Sequence, residues 1–200
     1  LVRDFVPVRR VADGVLGMLD QAHDVFYPNS NTSGAFFAGD IDPTDQAGGT
    51  VCVTVPEGET LTAGGLKFTG GAKLLKDGAG MLVWSQGTVG ASAPVIVTNG
   101  VFRFALSTQQ AASTAFGTSG SFKVAGRGQL DINGLISNYT YSPVYSRTLF
   151  LAGDGPDGTG ALISTSSLAT GGNIVGRIVL TGDTTIGGTQ RVDISGVKAE

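Results

Sequence analysis

AKLLKDGAGMLVWSQGTVGASAPVIVTNGVFRFALSTQQAASTAFGTSGSFKVAGRGQLDINGL (residues 72–135) decides the fold, because it holds six short β-type runs in near-unbroken succession. The runs are residues 73–76, 81–84, 95–98, 101–105, 122–125 and 129–132. Each is bounded by Gly or Asn-Gly punctuation at 78–80, 99–100, 126–128 and 133–134. No 3.6-residue seam of a helix runs through them. Strands this short cannot each bury a face alone, so neighbouring units must stack on one another or fold into a sandwich. Comparable runs continue outward at 51–55 and 66–68 on one side, and at 161–163, 177–180, 184–186 and 191–194 on the other. Their spacing is uneven, roughly 8 to 20 residues, which fits stacked coils with loops of unequal length. The pair Asn99-Gly100, set between PVIVT and VFRFA, is also a strong hairpin signal; read that way it would give an antiparallel β-sandwich, the alternative architecture.

The composition agrees with a β-rich repeat. Glycine accounts for 32 of 200 residues, against roughly 7% in average proteins, while charged residues make up only 14%. The surface must then be built largely from Ser, Thr, Asn and Gln. With 41% hydrophobic residues the chain has enough apolar surface to offset its conformational entropy. A net charge of -3 with scattered basic residues gives no field that would recruit nucleic acid. No run of about 18 apolar residues is present, so no membrane insertion by this segment is expected.

The central stretch resembles the autotransporter-associated β-strand repeat of bacterial surface proteins. The resemblance is carried by a Gly-x-Gly-hydrophobic-x-hydrophobic segment (Gly78, Gly80, Met81, Val83), a hydrophobic run ending in Asn-Gly-hydrophobic (residues 95–101), and a small-Gly-x-Gly-x-Leu-Asp-hydrophobic-Asn-Gly close (residues 125–134). It covers residues 73–134, with an echo at 153–194. It departs from the usual form at Met81 and Trp84, where Thr or Leu is commoner, and at residues 85–93, where the family has a longer Gly-Thr segment. The resemblance implies a right-handed parallel β-solenoid over residues 50–200. It also implies a structural or adhesive passenger role in a large exported protein, at the cell surface or outside the cell.

Residues 1–42 carry more charge. Their motifs, hydrophobic-Pro-x-Arg-Arg (6–10), Asp-Gly-x-x-Gly-hydrophobic-x-Asp (13–20) and Phe-Tyr-Pro-Asn (26–29), are similar to the C-terminal strands of a concanavalin-like, laminin-G-type sandwich. That likeness implies a β-sandwich remnant at 1–42, joined by a linker at 43–49 to the repeat region. The chain starts in mid-pattern and ends without a stop signal, so both ends are expected to be cut from a longer protein.

Candidate chemistry is sparse. Asp40, Asp42 and Asp45 form a D-x-D-x-x-D cluster that could supply oxygen ligands to calcium, although the EF-hand glycine and closing glutamate are missing, which favours a linker turn. Asp154 and Asp157 among glycines read as a turn. Tyr139, Tyr141 and Tyr145 cluster beside Arg147 and could stack on a sugar ring, or could cap the side of the stack. Asp131 and Asp193, each in a hydrophobic-Asp-Ile segment, are the only carboxylate pair suggesting glycoside chemistry; the same segment closes the repeat, which favours a turn role. One cysteine, Cys52, and one histidine, His23, leave no disulfide, no His/Cys metal site and no Cys-His pair. In the run 51–55 the odd positions are all Val, so Cys52 points outward if those valines face inward; a buried structural thiol is expected. No cofactor is implied and no catalysis is expected. The partners implied are glycans or host and cell-surface proteins. A carbohydrate-active or carbohydrate-binding module and a phage fibre segment are the alternative functions.

Overall fold

The computed structural model describes residues 15–20, 23–28, 35–37, 40–41, 50–63, 66–68, 73–85, 87–88, 94–105, 120–133, 147–166 and 174–194, with side chains described from Thr50 onward except at 66–68, 87–88, 174 and 193. All regular structure among them is β, and no helix is long and apolar enough to cross a membrane. In chain order the strands are β1 (Val15–Asp20), β2 (His23–Pro28), β3 (Ala35–Phe37), β4 (Asp40–Ile41), β5 (Thr50–Thr54), β6 (Thr60–Ala63), β7 (Leu66–Phe68), β8 (Lys73–Asp77) and β9 (Met81–Trp84). There follow β10 (Gly87–Thr88), β11 (Val95–Phe104), β12 (Ser121–Asp131), β13 (Thr148–Gly153), β14 (Leu162–Ser164), β15 (Ile174–Val175), β16 (Arg177–Thr184), β17 (Ile186–Gly188) and β18 (Asp193–Ile194).

Thirteen of these strands join one sheet system that does not close on itself, and its pairings are parallel except for the β1–β2 hairpin. Two small parallel sheets, β10-β7-β4 and β15-β18, stand beside it. The large system divides into two series. In the first, Val51, Leu74, Val95, Phe122, Leu149 and Ile178 are successive register partners, 23, 21, 27, 27 and 29 residues apart. In the second, the row runs Leu61, Leu82, Phe102, Leu130, Leu162 and Ile186. The recurring unit is therefore a pair of strands, one from each series. The shorter spacing read from the sequence counted every run as a unit of its own.

Period-2 alternation decides what each strand buries. In β5, Val51 and Val53 face the interior; in β9 it is Leu82 and Trp84, so Met81 and Val83 lie on the other side. The two series share one core. At its centre Trp84 stacks on Phe102 with ring centroids 6.0 Å apart, while Phe104 meets Phe102 and Phe122 edge-on at 5.4 and 5.7 Å. β2, β3 and β4 pair parallel with β5, β6 and β7; the linker expected at 43–49 lies outside the described residues. At the opposite end Leu180 is 62% exposed although its partner Leu151 is fully buried, because β16 and β17 end their rows there.

Asn99-Gly100 does not make a hairpin. The runs on either side of it belong to the single strand β11, whose first part pairs with β8 and whose second part pairs with β9. The pair is thus a corner between the two series, and the antiparallel sandwich has no counterpart among the strands from β5 onward. Gly100 has φ of +67°, and a Cβ there would lie 2.3 Å from the Gly80 carbonyl oxygen and 2.4 Å from that of Gly78. Both the left-handed backbone and the backbone behind it exclude a side chain. Gly100→Ala is expected to destabilise the protein by about 3 kcal/mol, measured by urea unfolding. Gly58→Ala, also at positive φ but with nothing within 4 Å of the added carbon, should cost about 1 kcal/mol.

Candidate functional site

The richest polar centre in the described residues lies where β11, β12 and β14 adjoin. Asp131 ends β12 facing away from Leu130 and Ile132, yet it is fully buried. Its carboxylate accepts from Arg103 Nε at 2.7 Å on one side and from Thr165 Oγ1 at 2.6 Å on the other. The backbone N–H groups of Asn133 and Thr165 add bonds at 2.8 and 3.2 Å. Arg103 sits beside Asp131 in register, one row back, and Ile163 occupies the same place one row forward. Three consecutive rows are thereby braced by one anion. Asn133 holds φ of +47° and donates from Nδ2 to the Phe104 carbonyl at 2.7 Å, continuing the brace around the turn. A charged carboxylate is tolerated without solvent only because four donors surround it. With both oxygens committed, its geometry suits a clamp between rows better than proton transfer.

Two cations lie inside the core, where sequence reasoning did not place them. Lys76 is in phase with Leu74 and points inward, between Val53 and Val97. Its ammonium donates to the carbonyls of Asp77, Gly78 and Asn99 at 2.9, 2.6 and 3.0 Å, tying two corners together. Desolvation lowers its pKa from 10.5 to about 8, more than the neighbouring Asp77 raises it. Arg147, set beside the tyrosine cluster in the sequence, instead points inward with its guanidinium 5.5 Å from the Phe122 ring centroid. Burial pushes it down to about 10. Their signal was present in the alternation, Lys76 with Leu74 and Arg147 with Leu149, but an inward cation contradicts the usual pattern.

Gln129 makes a similar link, donating to the Thr159 hydroxyl and the Gly160 carbonyl, both at 2.8 Å.

The residues singled out from the sequence do not gather at one place. Asp131 and Asp193 belong to different sheets, through β12 and β18, so they do not share a strand face. Asp40 lies in β4, paired with Lys67; Asp42 and Asp45 fall outside the described residues, as do Tyr139, Tyr141 and Tyr145. Asp154 and Asp157 are exposed on the loop between β13 and β14, where Gly155 and Gly158 have positive φ and Gly160 N–H closes onto the Asp154 carbonyl at 2.8 Å. Among the described residues no group of three His, Cys, Asp or Glu side chains could hold a metal ion. Cys52 is half-buried on the outer face, its Sγ 3.7 Å from Thr54 Oγ1; the inward valines displace it from the core position expected for a buried thiol.

Comparison with protein-family models, curated proteins and solved structures finds no match.

Two outcomes test this polar framework. Asp131→Ala should cost about 3 kcal/mol in urea unfolding, because it strands two backbone N–H groups and a guanidinium; Arg103→Ala, which leaves three donors on the carboxylate, should cost about half as much. Lys76 should make stability depend on pH. The folded chain loses this proton near pH 8 and the unfolded chain near 10.5, so stability rises between those values and the gain is lost as pH falls back through about 8. The rise should amount to roughly 3 kcal/mol and be absent in Lys76→Met, whose unfolding free energy at pH 7 should itself fall by about 2 kcal/mol for want of a donor to three carbonyls.

Proposed function

We propose that the chain is a right-handed parallel β-solenoid that serves as a structural and adhesive passenger segment of a large exported bacterial surface protein. The observation that carries this reading is the register. Six successive strands in each of two series stack parallel on their counterparts, with like positions aligned and one core between them. A chain winding round a common axis produces that pattern, because each turn returns its strands beside those of the turn before. Right-handed winding follows from the preference of parallel β crossovers.

The passenger role is supported by the sequence resemblance and by where the polar chemistry sits. Asp131, Lys76 and Gln129 spend their hydrogen-bonding capacity on binding one turn to the next. An assembly held in this way resists local opening, which suits a segment that projects from a surface and meets proteases.

The test is surface display. Fused between an export signal and an outer-membrane translocator in a Gram-negative host, residues 50–194 should reach the cell exterior and yield a trypsin-resistant core. Asp131→Ala should shorten the lifetime of that core about a hundredfold, in line with the loss of about 3 kcal/mol of stability. Rapid digestion of the wild-type segment at all its lysines and arginines would overturn the reading. So would turnover of a polysaccharide, or a glycan-array signal abolished by Tyr139→Ala and Tyr141→Ala, either of which would replace it with a carbohydrate-directed module.

A further inference from the structure

The first strand series presents an outer face whose composition belongs to a covered sheet. Its central outward row is Cys52, Leu75, Ile96, Lys123, Phe150 and Val179, each the register partner of the next. Five of the six are apolar or thiol, and those five are half-buried rather than covered. The sixth, Lys123, is exposed and lays its ammonium 5.8 Å from the Phe150 ring centroid, so its stem adds to the apolar strip. Because the inward rows are apolar too, these strands read as near-continuous hydrophobic runs: VCV at 51–53, VIV at 95–97, LFL at 149–151 and IVL at 178–180. Strands of that kind are normally buried on both faces.

The two margins of the strip carry opposite charge. Exposed Lys73 and Arg177 stand on the side where the strands begin, in the rows of Thr50 and Thr148. On the side where they end lies Asp77, followed around the corner by Glu57, Glu59, Asp154, Asp157 and Asp183, with Arg127 the one exposed cation among them. A face with an apolar centre, one basic margin and one acidic margin is complementary to itself under a single rotation. A two-fold axis parallel to the stacking direction lays the strip on its own copy, the basic margin of each against the acidic margin of the other, while the ammonium of Lys123, the row's one charge, is drawn aside over the Phe150 ring rather than onto its own copy. A two-fold axis along the strands would set like charges together.

We propose that this face is a self-association surface on which two copies of the chain pack in parallel, each row against the same row of its partner. Lys73 then faces Asp77 of the second copy, since the two flank Leu75 symmetrically on β8. Six strands spaced about 4.8 Å apart and five residues rising about 3.3 Å each give a patch of roughly 400 Å² per copy. That is small for a specific interface, so the dimer forms at high protein concentration, around 100 µM, and loosens with salt.

Sedimentation equilibrium of the 200-residue chain from about 10 to 500 µM should show a mass rising from 20.3 kDa towards twice that value. Lys73→Glu should weaken association at least tenfold, and Lys73→Glu with Asp77→Lys should restore it, circular dichroism confirming that each variant is folded. Asp77 also accepts from the Thr98 hydroxyl at 3.1 Å, so a second measurement stands in for the double variant where that variant fails to fold. That measurement is cross-linking with a short bis-maleimide through the single Cys52: the parallel arrangement sets the two thiols opposite each other and gives a covalent dimer. A monomer throughout the concentration range, a trimer, a Lys73→Glu variant that associates like wild type, or a dimer that Cys52 fails to cross-link would each overturn the proposal.

Discussion

The constraint on which the rest of the structure depends is that, among the described strands from β5 onward, hydrogen bonding comes from strands that run parallel beside them after a long connection rather than from a hairpin partner. Parallel pairing at separations of 21 to 29 residues follows from this, as the Val51–Leu74–Val95–Phe122–Leu149–Ile178 row shows. A side chain then meets its counterpart on the adjoining strand at a distance of about 4.8 Å, and the core becomes a set of rows rather than a set of isolated contacts. Such rows are cooperative along the stack. A defect in one row costs its own burial and also the support it gives to the rows on either side.

The corners are where this arrangement is most demanding. Backbone from adjoining strand pairs approaches so closely there that a Cβ on Gly100 or Gly128 would meet a carbonyl oxygen within 2.3 Å. The same crowding leaves carbonyls pointing inward, and the chain answers with a buried ammonium. Lys76 supplies three donors at one corner, and Gln129 bridges to the Thr159–Gly160 corner in the same manner. Asp131 performs the opposite task, accepting from donors on both sides of its row. Lys76, Gln129 and Asp131 therefore share a purpose, which is to join adjoining strand rows whose backbone groups would otherwise lack partners.

The outer surface divides along the same geometry. The corner carries most of the described carboxylates, while the outward row of the first series is apolar. Neither feature follows from the need to fill the core, and together they make one face of the stack directional in charge and unusual in hydrophobicity.

From the sequence alone came the class of structure. Glycine-bounded runs such as 81–84 and 122–125 marked the strands, because φ above zero and tight corners have a local signature in Gly and Asn-Gly. The alternation in 51–55 showed that its valines share a face, a periodicity that needs no partner to be read, but not that the opposite face is left half-exposed: Cys52 was expected as a buried thiol and lies half-buried on the outer side. The parallel direction was implied by the resemblance alone, and which strands pair was not legible from the residues: Asn99-Gly100 fits a hairpin and a corner, since both require the same backbone conformation, and only contact with β8 and β9 separates them. The roles of Lys76, Arg147 and Asp131 were likewise decided by tertiary structure. A cation or carboxylate is placed in an interior by acceptors and donors that arrive from residues 20 to 35 positions away, such as Asn99 for Lys76 and Thr165 for Asp131, and no local pattern encodes them.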